Sequence, residues 1–195
     1  MSEVKTFPTG LMVTDVQITN YHRAYSSESM SGIVYAHDSG IQWYKGTITL
    51  KAYGFENIKR LNGFLASIKG RYHAFELPLG GAYGYSDLSA NPRLSGAHNK
   101  GRSTVFLIQN QSNLSMGSVF TLPNDTKLYT LLEDVDGDGT YSIVPSLKKS
   151  QANLAEANFK NPHITAILDS NETTIRHSEG GLLAEASISW TERIT

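Results

Sequence analysis

The sequence predicts a mainly β protein with one α-helix, in which a small β-barrel is inserted into a discontinuous outer domain. Three observations carry this. Several stretches alternate apolar and polar residues with period two, the pattern of a half-buried strand. Only one stretch has the three- and four-residue spacing of an amphipathic helix. The 195 residues include 17 Gly and 10 Tyr with only 18% charged side chains, a composition that suits turn-rich β structure better than a helical bundle.

Residues 11–20 (LMVTDVQITN) alternate, with Met12, Val16 and Ile18 expected on the buried face and Asp15, Gln17 and Thr19 outside. Residues 32–36 are a second, short apolar candidate. Residues 41–53 form a longer strand whose inner face is Tyr44, Ile48, Leu50 and Ala52, against Lys45, Thr47, Thr49 and Lys51. The period then changes: Ile58, Leu61, Leu65 and Ile68 make one stripe, which predicts a helix over 56–69 with Gly70 as its stop. Strand text returns at 72–79.

The glycine-rich run from 80 to 101 reads as loop with one short strand. Residues 104–147 read as four short strands separated by polar turns, with Phe106, Phe120 and Tyr129 in the core. A meander of this size suits a small OB-like barrel. Residues 148–160 are polar and read as loop or short helix. Two further strands follow at 163–169 and 182–190, the second burying Ala184, Ala186, Ile188 and Trp190. Punctuation at Pro78–Gly81 and Asn161–Pro162 divides the chain into an outer domain, 1–79 with 163–195, and an inserted domain, 80–162.

Composition narrows function. With no cysteine, disulfides and thiolate metal sites are excluded, and a net charge of −1 provides no field for nucleic acid or an anionic membrane. No run approaches the roughly 20 apolar residues of a membrane helix, and no signal peptide is legible, so a protein folded in a cytoplasm is expected. Residues 134–139 (DVDGDG) match the first half of a calcium loop, but position 12 is Pro145 and the flanks read as strands. The loop is therefore expected to be a turn in which Gly137 and Gly139 supply positive φ. Gly137→Val should then be harmful and Asp136→Asn silent.

The six histidines lack compact metal-ligand spacing and are expected on surfaces or in loops. Glu76, Asp87, Glu133 and Asp134 are carboxylates that nothing in the sequence pairs for acid–base work. No nucleophile elbow or phosphate loop is present. The expectation is a non-enzyme with no catalytic, metal or cofactor-binding residues and no cofactor. Tyr83 and Tyr85, loop aromatics of the inserted domain, are the candidates for sugar contact, giving a carbohydrate-binding module for host surface glycans as the alternative function.

The run from Ile41 to Gly81, with Trp43 in a long strand, the helix at 58–68 and the FELP close at 75–78, resembles siphophage distal tail proteins. The text at 116–120, 127–132 and 140–147 is similar to a strand–turn cassette of phage tail proteins, with Ser118 where that cassette often carries Asp. The resemblance implies a tail-tube-like β-sandwich domain with one helix carrying an inserted OB-fold domain. It implies a structural virion protein: a homohexameric ring at the tail tip or baseplate, assembled in the host cytoplasm. That ring would join the tail tube to the tip and receptor-binding proteins, with side tail fibres or host glycans as further partners. DNA would pass through its lumen without specific binding, and the inserted domain would point outward.

Overall fold

The computed structural model describes residues 3–81, 83–110, 112–178 and 180–194. In chain order its elements are β1 (Val4–Lys5), β2 (Leu11–Glu28), β3 (Val34–Tyr53), α1 (Phe55–Ile68), β4 (Ala74–Pro78), β5 (Arg93–Leu94) and β6 (Thr104–Ile108). They continue with β7 (Val119–Thr121), β8 (Leu128–Leu131), β9 (Gly139–Val144), β10 (His163–Leu168), β11 (Ile175–His177) and β12 (Leu183–Glu192). The fold is mainly β with one helix, as the sequence predicts. Among the described residues no helix is long and apolar enough to cross a membrane.

The chain divides into two compact units. One holds the residues up to Tyr21, Trp43–Leu77 and Thr165–Ile194; the other holds His22–Gln42 and Pro78–Ile164. The divisions at Leu77/Pro78 and Ile164/Thr165 neighbour the linkers marked by proline and glycine at 79/80 and 162/163. That residues 22–42 group with the inserted segment has no counterpart in the sequence reading.

The first unit is built on a seven-stranded sheet of order β1-β4-β10-β12-β3-β2, with β11 beside β12. Its centre is the antiparallel pairing of β12 with β3, where Ala184, Ala186 and Ile188 lie opposite Ala52, Leu50 and Ile48. All six are buried, so period-two patterning in both strands is what sets this register. Trp190 lies opposite Gly46 and is fully buried. A Cβ at Gly46 would come within 1.8 Å of the Gln17 carbonyl oxygen and 3.2 Å of the indole, so only glycine lets β2 close on β3 there.

Helix α1 buries Ile58, Leu61, Leu65 and Ile68 as its spacing predicts, together with Phe64. The Phe64 ring meets Phe7 and Phe75 edge-on at 5.3 and 5.7 Å. The helix ends through Lys69 in the left-handed region, followed by Gly70 at φ 61°. The Arg71 amide then donates to Asn171 Oδ1 at 3.1 Å.

Strand β2 departs from expectation. Met12 and Val16, assigned to a buried face, are exposed, and no residue of β2 is fully buried. Asp15 adopts φ 49°, which breaks the alternation between Val13 and Ile18. The strand also lies at the sheet edge.

In the second unit β5-β6-β9-β8-β7 form an antiparallel sheet around a core of Leu94, Val105, Phe120, Tyr129, Ile143 and Phe159, among others. Residues 148–160 are neither helix nor idle loop. The Leu94 amide donates to Ala155 and the Ala157 amide to Pro92, while Asn158 and Thr121 exchange backbone hydrogen bonds. The segment 154–158 thus bridges the two edge strands, β5 and β7, and closes the barrel. Phe159 follows it into the core and stacks on Phe120 at 4.6 Å. Phe106, expected in the core, turns outward at 39% exposure because its strand neighbours Val105 and Leu107 take the inner face.

Candidate functional site

The acidic loop resolves into a set of backbone clamps. Asp134 Oδ1 accepts the Met116 amide at 2.7 Å, and Asp138 Oδ1 accepts the Asn110 amide at 3.2 Å. Glu133 accepts the Ser142 amide, and Val135 pairs its backbone with Leu114. Neither Gly137 nor Gly139 has positive φ, which corrects the expected reason for those glycines. A Cβ at Gly137 would meet nothing within 4 Å. The carboxylates, not the glycines, tie this turn to its neighbours. Among the described residues no cluster of three His, Cys, Asp or Glu side chains could hold a metal ion.

One histidine also departs from expectation. His98 is 3% exposed, its Nε2 accepts the Phe106 amide at 3.0 Å, and its Nδ1 lies 3.1 Å from the Gly96 carbonyl. An acceptor Nε2 and a donor Nδ1 specify one neutral tautomer, so His98 is a structural element of the barrel wall.

The clamp on Met116 shapes a groove of about 380 Å³ between residues 83–85 and 115–119. Both candidate sugar-contact residues line it, in different ways. Tyr85 is half-buried against the barrel core, and its hydroxyl lies 2.6 Å from Ser118 Oγ and accepts the Ser115 amide at 3.1 Å. Ser118 Oγ donates to the Ser115 carbonyl at 2.5 Å. The Ser118 proton is therefore committed, and the Tyr85 hydroxyl donates to Ser118, closing a ring of hydrogen bonds that ties the 115–118 turn to the 83–85 loop.

Burial pushes the Tyr85 phenol up, but its hydrogen bonding with Ser118 and Ser115 outweighs that. Its pKa lies below the ordinary tyrosine value. Tyr83, by contrast, is 39% exposed, and Met116 on the facing wall is 65% exposed. Tyr85 builds the groove, while Tyr83 and Met116 offer apolar surface in it. The partner wall at 115–119 was not legible as part of a site, because its pairing with Tyr85 spans 33 residues of sequence.

A second surface is the distal part of the β2–β3 hairpin. Every residue of 21–28 and 30–38 is exposed. These include Tyr25, Ile33, Val34 and Tyr35, each more than half exposed, and Met30 at the tip. The turn is closed by the Ser29 amide donating to Ile33 O and the Gly32 amide to Ser29 O, both at 2.9 Å. Arg23 sits over the Tyr25 ring at 5.4 Å, and Ser39 Oγ donates to the Arg23 carbonyl. Exposed strands carry no contrast between an inner and an outer face, so only fragments of this arm are legible in the sequence.

No protein-family model and no curated protein sequence matches this chain.

Proposed function

We propose that the chain is a structural virion protein of a long-tailed phage. As a distal tail protein, its copies would close a ring at the tail tip and join the tail tube to the tip and receptor-binding apparatus. The observation that supports the reading is the β2–β3 arm. An isolated two-stranded ribbon is marginal in water, because it cannot bury enough apolar surface on its own. Here the distal ribbon is exposed throughout and presents Tyr25, Met30, Ile33, Val34 and Tyr35. Among the described residues strand β2, 18 residues long, is also the last strand of its sheet.

Long exposed edges template aggregation unless covered, and a closed ring of identical heterologous contacts covers each edge with the next copy. Six-fold closure, the tail tube as neighbour and unspecific passage of DNA through the lumen come from the family resemblance of residues 41–81 and 116–147.

Native mass spectrometry and negative-stain imaging of the full chain test this, alone and with purified tail tubes. The expected result is a six-fold ring with a central channel, in solution or on the tube end. Replacing 24–38 by an Asn-Gly turn between Arg23 and Ser39 should abolish the ring and leave a folded monomer. A chain that stays monomeric in both settings, or a ring indifferent to loss of the arm, would refute the reading.

A further inference from the structure

We propose that the groove between residues 83–85 and 115–119 binds a neutral saccharide, with one pyranose ring seated against Tyr83. This stands on the barrel alone and does not depend on ring assembly. The volume of about 380 Å³ falls within the range of small-molecule sites, roughly 300–1,000 Å³. Among the described residues no Lys, Arg or His lines the groove, so a phosphate or a carboxylate would meet no opposite charge and would feel Asp134 behind the Met116 amide. Its polar groups are hydroxyl oxygens whose spare lone pairs can accept from neutral hydroxyls, the amides of Ser115, Met116, Gly117 and Ser118 being bonded within the protein.

The apolar component has matching chemistry. The exposed Tyr83 ring and the Met116 thioether face a shared space, one a flat aromatic surface and the other an adaptable contact. The C–H face of a pyranose needs such a platform, while its hydroxyl edge needs the Ser115, Ser118 and Tyr85 oxygens. Glycines at 81, 84 and 117 keep the walls low enough for a ring to enter.

The wall is also held in place before any ligand arrives. The ring of hydrogen bonds through Tyr85, Ser115 and Ser118, with Asp134 holding the Met116 amide, fixes the 115–118 turn. Little ordering is therefore left to be done on binding. Asp134 acts here as a positioning residue, not a ligand contact.

The test is a titration of the ¹⁵N-labelled full chain with glucose, galactose, mannose, N-acetylglucosamine and their common disaccharides, with inorganic phosphate as the charged control. Saturable amide shifts confined to residues 81–86 and 115–119 are expected with at least one sugar. Tyr83→Ala should weaken that sugar about tenfold and Tyr83→Phe should leave it unchanged, since the ring and not its hydroxyl is the platform. Met116→Ala should weaken it about threefold from the opposite wall. No saturable shift with any of these sugars would overturn the proposal. So would phosphate reproducing the shifts, or both alanine variants titrating like the parent while the rest of the spectrum is unchanged.

Discussion

Asp134 and Asp136 are two residues apart in one acidic run, yet only the first is tied to a neighbouring segment. Asp134→Ala leaves the Met116 amide without its acceptor and should cost about 1 kcal/mol in urea unfolding. Asp136→Asn should stay within about 0.5 kcal/mol. Gly137→Val, harmful on the sequence reading, should now be mild: the position has ordinary φ and open space around it, so a loss above roughly 2 kcal/mol would contradict this account. His98 is the opposite case, a residue that looked peripheral and is structural. His98→Leu removes the acceptor of the part-buried Phe106 amide and should destabilise the barrel by roughly 1–3 kcal/mol. Loss of amide protection at Phe106, measured by hydrogen exchange, separates this from a general packing defect.

The elements most legible in the sequence were those with one wet face and one dry face. Strands β3 and β12 and helix α1 meet that condition and bury the residues the spacing predicts, although Thr49 of β3, expected on the outer face, is buried as well. The distal arm and the closing segment do not: the first is wet on every side, and the second pairs through isolated backbone bridges between polar side chains. Asn91 anchors that segment. Its Nδ2 donates to Glu156 Oε1 at 2.7 Å, and its Oδ1 accepts the Phe159 and Lys160 amides, each at 3.0 Å. Asn91→Ala should therefore loosen the closure between β5 and β7 and not the meander. Hydrogen exchange at Leu94, Ala157 and Asn158 should quicken while Tyr129 and Leu131 stay protected. Uniform quickening across the barrel would show that the closing segment is not a separate element of stability.

At the scale of the molecule, the inserted unit contains what it needs to fold. Its hydrophobic core runs from Leu88 to Phe159, entirely between the two linkers. The ends meet, since the Leu79 amide donates to the Pro162 carbonyl at 3.4 Å. The 22–42 segment grouped with it contributes an exposed hydrogen bond from Lys148 Nζ to Gly40 O, 3.2 Å long. An exposed bond of this kind is worth little, because water replaces it on removal. The fragment Pro78–Ile164 should accordingly fold alone, with dispersed amide resonances and one cooperative denaturant transition. It should also keep the Tyr83 groove, as every residue lining that groove lies inside it. The reciprocal chain, with 80–162 replaced by a two-residue turn between Leu79 and His163, should retain β12 pairing with β3, because that register lies wholly outside the insert. A fragment that stays collapsed but unstructured would mean that the barrel depends on the remainder of the chain. The linkers would then mark a change of composition and not a boundary of folding.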